Sequence, residues 1–430
     1  MTQSTAALIA TVLSLALFVA AYERGDQYYG SNSYGGGYQG RDGDTYEEWT
    51  HETWFDRMGN SLVGVGIGFV VLIGTGFLLF WNEKRAVNRI RALKEGSGQV
   101  VSVSTEGDNL RQFNQCLIHT TGHAATNDLL SDEDFGVQVQ AIKLIRSVQI
   151  YQWKETKRSQ KYKNVGGSTD TRHTYTYNKV WKSDLSSSRS FRHPQGHENP
   201  SKSLFVSKTT TANNVMINGS LSLSQDFISK FSNVEKMTFN EGLYNVLPPH
   251  MQGILKIANQ HELYYGVNPM NPQIGDTKIT FSQALPCTVS VVGKLSNGIL
   301  VPHNTSNNSK IALLQTGTHK ANDMFKAAMA ENTFLTWILR ALGFFLNFVG
   351  FALLFSPLST FFDILPFIGG IVGFGTSLGS LLLGFIVSII TIAVAWIFYR
   401  PIVGVALLSV AAVMIFVSSK GGEYASTAHR

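Results

Sequence analysis

The feature that most constrains this chain is an apolar block near its C-terminal end, Thr333 to Ser418. A hydrocarbon core of roughly 30 Å is crossed by about 20 apolar residues in a helix. Thr333–Phe355 and Leu378–Phe398 meet that length. Ile402–Val417, with 16 apolar or small residues, comes close once Tyr399, Arg400 and Ser418 to Lys420 sit at the interfaces. Tyr399-Arg400-Pro401 reads as the tight turn between the last two crossings. The piece 358–376 holds Asp363, Pro366 and closely spaced glycines, a composition too broken for a clean span, so an interfacial or re-entrant helix is expected there. Ser61–Trp81 supplies a further span upstream. A chain patterned in this way folds in a membrane.

Between the first two spans lies a polar stretch long enough, in a chain of 430 residues, for one sizeable domain. The expected fold class is a multi-span α-helical membrane protein with a β-rich (α+β) extramembrane domain, residues 97–332, inserted between the first and second spans. The net charge of +6 is spread widely, with no basic run that would point to nucleic acid. Its sharpest concentration is Lys84, Arg85, Arg89, Arg91 and Lys94. With Val87, Ile90 and Leu93 on the opposite side, these residues predict an amphipathic helix over 82–96 lying on the bilayer, its cations on anionic headgroups. Gly96 and Gly98 end it. Cys116 and Cys287 would form a disulfide in an oxidising lumen and stay free thiols in cytosol. Asn218, Asn304 and Asn307 stand in glycosylation sequons.

Upstream of the first span, residues 6–21 are apolar and end in Val19-Ala20-Ala21, which suits a cleaved signal peptide or an uncleaved anchor. Residues 22–60 form a Gly/Tyr-rich linker, expected to be disordered to about Thr45, with Glu47–Met58 as a short helix at the membrane surface. In the first span, Gly64 and Gly68 have the i, i+4 spacing that lets helix backbones approach closely, with a partner helix in the same chain. Gly343, Asn347 and Gly350 share a face with Arg340 on the second span. Asn347 is deep enough to bond to a neighbouring helix, whereas Arg340, about two turns from the span's start, is expected to snorkel to the interface.

The domain is patterned for strands. Val137 and Val139 alternate in one parity, and Leu144, Val148 and Ile150 in the other, which predicts a bulge near Ile142-Lys143. Tyr151 and Trp153 face Tyr175, Tyr177 and Trp181 across a long hairpin whose connection is Ser159–Arg172. Further strands are expected at 254–258, 263–265, 277–281, 288–295 and 311–315, with Gly275-Asp276 and Asn297-Gly298 as turns. Short helices are expected at 223–231 and 320–332.

Several ordered blocks then carry a resemblance. They are LLSDEDFGVQVQAIKLIRSVQIYQWKE at 129–155, YTYNKVWKSDL at 175–185, FRHPQGHENPS at 191–201 and NPQIGDTKITFS at 271–282, joined by LLFWNEKRAV and WIFYRPIVGVALL in the membrane parts. Over roughly residues 60–418 the chain resembles the transmembrane protein 43 (LUMA) family, and the first 60 residues depart from the pattern. The resemblance implies four spans and residence in the endoplasmic reticulum and inner nuclear membrane. It also implies a self-associating scaffold that binds lamins and emerin-like proteins, with the domain in the lumen. The basic cluster after the first span would instead place the domain in the cytosol.

Chemistry is thinly supported. His193 and His197, followed by Glu198, invite a metal reading, but Pro194 and Gly196 argue against a helix and favour a hydrogen-bonded loop. His119 and His123 near Cys116 lack an oxyanion loop or a third member. Asp132, Glu133 and Asp134 read as a solvated acidic turn. No cofactor motif, zinc spacing or catalytic constellation is present. The sequence is thus read as a non-enzymatic membrane scaffold. The alternative is a pore-forming or transport accessory subunit using Arg340 and Asn347 in a helix bundle.

Overall fold

The computed structural model describes residues 33–39, 44–105, 110–239 and 247–402. The signal-like segment 1–21 and the expected fourth span, 401–418, fall outside this range except for Pro401 and Ile402. Among the described residues, three helices are long and apolar enough to cross a membrane: α1 (Trp54–Gln99), α2 (Ala321–Phe362) and α3 (Pro366–Tyr399).

Helix α1 begins on a capping box, Thr53 and Asp56 each bonding the other's backbone N–H. It runs 46 residues, about 69 Å, so the amphipathic piece expected to lie along the bilayer is instead a continuation of the same helix. The cause is tertiary. No Gly or Pro interrupts residues 77–95, and Asn82, Glu83, Ala86, Ala92, Leu93 and Gly96 continue the buried stripe begun by Val71, Thr75, Leu78 and Leu79. At its C-terminal end the Val100 N–H bonds the Gly96 carbonyl.

The re-entrant helix expected over 358–376 is also absent. Residues 358–362 complete α2, which carries Pro357 inside it, and Pro366 opens α3 at a position where a missing N–H costs nothing. Of the glycines that looked like breaks only Gly369 is a contact point, joined by Gly384 further along α3, whereas Gly370, Gly373 and Gly375 face open space. A Cβ on Gly384 would stand 2.8 Å from the Phe348 nitrogen, and one on Gly369 would run into the Asp363 carboxylate.

The domain differs from a simple insertion. Strands β1 (Ser33–Gln39) and β2 (Thr45–Glu52) precede α1 and pair with each other. They replace both the expected disorder and the short surface helix, because β2 lies in eight-residue register on β7 (Thr169–Lys182). The intervening strands are β3 (Leu117–Ala125), β4 (Leu129–Asp132), β5 (Val137–Gln140) and β6 (Lys143–Lys163). After β7 come β8 (Leu255–Asn259), β9 (Glu262–Tyr265), β10 (Thr277–Ala284) and β11 (Cys287–Ser296). The larger sheet runs β1-β2-β7-β6-β10-β9-β8.

A second sheet centres on the β3–β11 pair and closes on itself. From β11 the ladder passes through 299–301, 221–223 and 215–217 back to β3, wrapping a core that includes Ile118, Val215, Ile217, Leu221, Val289 and Val291. The short helix expected at 223–231 is confined to Gln225–Ile228. In place of a bulge at Ile142-Lys143 the chain breaks there: β5 turns back onto β4 while β6 joins the other sheet, and Ala141 and Ile142 are buried at the crossing. The β6–β7 hairpin is longer than expected, since pairing persists to Lys163↔Thr169. Tyr151 and Trp181 pair across it, ring centroids 5.0 Å apart.

Candidate functional site

The antiparallel crossing of α1 and α2 is built on small residues. A Cβ on Gly68 would lie 2.8 Å from the Gly350 carbonyl oxygen, and one on Gly350 would lie 2.7 Å from Leu72. Gly343 sits under Leu79 with no room for a side chain, and Gly64 is buried on the same stripe. The partner for the glycine face of α1 is therefore α2 of the same chain.

Where the backbones come this close, polar side chains bridge them. Glu83 is fully buried. Arg340 donates to it through Nε at 2.6 Å and Nη2 at 2.9 Å, and the Trp396 indole of α3 donates at 2.8 Å. The guanidinium also lies over the Trp337 ring at 4.8 Å and the Trp396 ring at 5.5 Å. Snorkelling, expected for Arg340, does not occur, because a bidentate carboxylate with aromatic walls is available on the neighbouring helix. One turn along, Asn82 donates to the Thr336 carbonyl (3.1 Å) and Asn332 to the Ala86 carbonyl (3.1 Å). Arg85 donates to Asn332 Oδ1 (3.0 Å) and Thr336 Oγ1 (3.1 Å). Toward the middle of the bundle, Asn347 donates to Ser388 Oγ of α3 at 2.8 Å. Its own Oδ1 is buried without a hydrogen-bond partner among the described residues.

The basic cluster is thereby divided. Arg85 is drawn into the polar layer and Arg89 donates to the Lys310 carbonyl (2.7 Å), which corrects their expected place on lipid headgroups. Lys84, Arg91 and Lys94 remain exposed, and Arg91 donates to the Tyr399 carbonyl at the end of α3 (2.7 Å).

The opposite end of the bundle carries a second knot. Asp363, in the α2–α3 turn, is buried and receives Arg57 of α1 and Lys163 Nζ (2.7 Å) from the hairpin tip. Beside it the Gly166 N–H bonds the Ile364 carbonyl, and the Trp54 indole bonds the Thr360 carbonyl at 2.9 Å. The hairpin thus reaches from the domain at one end of α1 to the other end of α1.

Cys116 and Cys287 are free thiols. Cys287 stands opposite Ala124 on β3, so the two cysteines are separated by about eight residues of strand (124 − 116), roughly 25 Å, against about 7 Å that a disulfide spans. Burial pushes the Cys287 thiol above its usual range. Asn218 is exposed in a left-handed turn with its amide donating to Thr105 (2.8 Å), Asn304 is exposed, and the Asn307 amide donates to the Asn88 carbonyl of α1 (2.8 Å).

His197 stacks on Tyr177 at 3.9 Å, its Nδ1 on the His193 carbonyl, and His193 stacks on Tyr46 at 4.4 Å. The acidic turn is not solvated throughout. Asp132 is buried on Arg146 Nη1 (2.6 Å), and burial pushes its carboxyl above the usual range even with that cation beside it.

Sequence reasoning missed Glu83, Trp396 and the Asp363 knot. A single acid at the end of one span and a single arginine on the facing span were the available signal.

The family model for transmembrane protein 43 matches residues 150–401. The chain is 31% identical to transmembrane protein 43 of Rattus norvegicus over 373 residues, covering 84% of this chain and 91% of that protein. Against the Homo sapiens protein the figures are 30% over 374 residues, 84% and 91%. Against the Drosophila melanogaster homolog they are 32% over 350 residues, 79% and 90%. No solved structure matches the chain.

Proposed function

Because this chain belongs to the transmembrane protein 43 family, we propose that it is a non-enzymatic, multi-pass scaffold that organises membrane-protein complexes in the endoplasmic reticulum and inner nuclear membrane. The observation that carries this reading is where the polar groups of the helices go. Glu83, Arg340, Asn82, Arg85, Asn332 and Thr336 bond to one another or to backbone across α1 and α2, which makes a rigid pillar in place of a lined path. Phe69, Ile73 and Phe77 of α1 and Phe385, Ile389 and Ile390 of α3 remain outside as apolar faces for lipid, a second copy or another membrane protein.

The hairpin adds a constraint. Arg158, Gln160 and Lys161 are exposed on a strand pair that passes the apolar length of α1, and backbone and charges of this kind do not lie against acyl chains. That flank therefore faces protein, which suits self-association or capture of lamin or emerin-like partners. The alternative, a pore or transport accessory subunit, draws on the same flank and on the unpartnered Asn347 Oδ1.

Flotation of proteoliposomes with a purified lamin or emerin-like protein, paired with conductance recordings, separates the two. Recruitment without conductance supports the scaffold; conductance abolished by Asn347→Ala, without recruitment, overturns it. The domain is placed in the lumen. Protease protection of sealed microsomes should leave its β3–β11 sheet intact, with an endoglycosidase-sensitive mass lost in Asn304→Gln. Asn307→Gln should leave that mass unchanged, because the Asn307 amide is already tied to α1. A digested, unglycosylated domain would put it in the cytosol.

A further inference from the structure

The end of α3 and the exposed part of the basic cluster line an open cavity of about 520 Å³. Its α1 wall is Val87, Ile90, Arg91 and Lys94, which share one helix face at spacings of three and four. Its other wall is Tyr399, Arg400, Pro401 and Ile402. Three cations and no carboxylate line it. The volume falls in the range of small-molecule sites, about 300–1,000 Å³.

We propose that this cavity binds the headgroup of an anionic glycerophospholipid, with Arg91, Lys94 and Arg400 on its phosphate oxygens. Three observations fix the ligand class. The first is depth. Trp337, Trp396 and Tyr399 cluster at one level of the bundle, as aromatic side chains do at the water interface, and the cavity begins within one to two turns of Glu83 on the side away from the spans. The second is charge. Arg91 is anchored on the Tyr399 carbonyl and Arg400 lies over Trp396 at 5.7 Å, so two guanidinium groups are held in place and Lys94 is left as an exposed point charge. The third is continuity. Val87, Ile90 and Ile402 make the lower wall apolar, and the α1–α3 seam below it continues through Phe80, packed edge-on against Phe398 and Tyr399. A phosphate with an acyl chain satisfies both halves of the cavity; free phosphate satisfies only the upper half.

The test uses the full-length chain in neutral detergent. Phosphatidylglycerol or phosphatidylcholine is titrated in, and retained lipid is counted by native mass spectrometry. Phosphatidylglycerol should be retained preferentially. The preference should fall about fivefold for each cation removed in Lys94→Gln and Arg400→Gln, and Lys84→Gln, outside the cavity, should not change it. Arg91→Lys, which keeps a donor and a charge, should retain it. Equal retention of the two lipids, insensitivity to the Lys94 and Arg400 changes, or displacement by millimolar inorganic phosphate would each overturn the proposal. A thermal melt of each variant matched to the parent keeps loss of binding distinct from loss of fold.

Discussion

Two buried arginine–carboxylate sites, one in the helices and one in the domain, use the same chemistry to different ends. In the domain, Arg146 and Asp132 are both buried, and Arg146 also takes exposed Asp134 (2.8 Å), donates to the Val206 carbonyl and lies over Phe135. The partners are close in sequence, and the pair fixes the β4–β5 hairpin onto β6. In the bundle, Arg340 and Glu83 are 257 residues apart and bring the Trp396 indole with them, so one carboxylate holds three helices. The protonation options differ as well. Burial already pushes the Asp132 carboxyl upward, so an orphaned Asp132 can take a proton and become neutral. An orphaned Arg340 cannot release one.

This contrast sets the order of expected effects. Glu83→Ala leaves the Arg340 guanidinium without its carboxylate between the helices and should lower stability by about 3–5 kcal/mol, read as unfolding in detergent by tryptophan fluorescence. Adding Arg340→Met should restore much of that loss, since a paired removal leaves no orphan charge. Arg146→Met should cost less, about 2–3 kcal/mol, because Asp132 protonates in response. If Arg146→Met proved the more damaging of the two, the distinction drawn from protonation would be wrong. Asp134→Asn, at an exposed carboxylate, should change stability by under about 1 kcal/mol.

Both sites were misread in the sequence for one reason: a single charge says nothing about its partner. Asp132, Glu133 and Asp134 look like a solvated turn until β6 places Arg146 behind them. Arg340 looks free to snorkel until antiparallel packing, with Gly68 on Gly350, brings Glu83 to it. Local period was far more legible. Residues 277–281 and 288–295 were expected as strands and fall within β10 and β11, and Asn297-Gly298 turns with positive φ as that dipeptide predicts. What periodicity could not supply was continuity. The joins at 81–82 and 332–333 vanish because α1 and α2 pack on each other beyond the apolar runs, and β2 becomes a strand only because the β7 edge is there to receive it.

The glycine seam allows a smaller test of the same contact between α1 and α2. Gly343→Val drives a side chain into Leu79 and should destabilise by about 1–3 kcal/mol. Gly66→Ala meets nothing within 4 Å and should be neutral or stabilising by up to about 1 kcal/mol, because it removes backbone freedom from the unfolded chain. Equal effects at the two glycines would mean that close backbone approach is not what holds α1 to α2.

The smallest expected effect is a pH dependence confined to the domain. His119 of β3 is buried, and burial holds its imidazole below the ordinary range of about 6.5; it donates from Nε2 to the His319 carbonyl at 2.9 Å. His303 is depressed too, first by burial and then by Lys294, with Glu95 opposing. For a histidine depressed in the fold, the unfolded chain binds the proton first as pH falls. Stability is then fully present above the ordinary imidazole range and declines as pH drops from there toward the folded values. Thermal melts between pH 7.5 and 5 should show this decline, and His119→Gln, which keeps a donor for the His319 carbonyl, should flatten it. An unchanged slope would assign the acid sensitivity to His303 instead, at the contact between the domain and the end of α1.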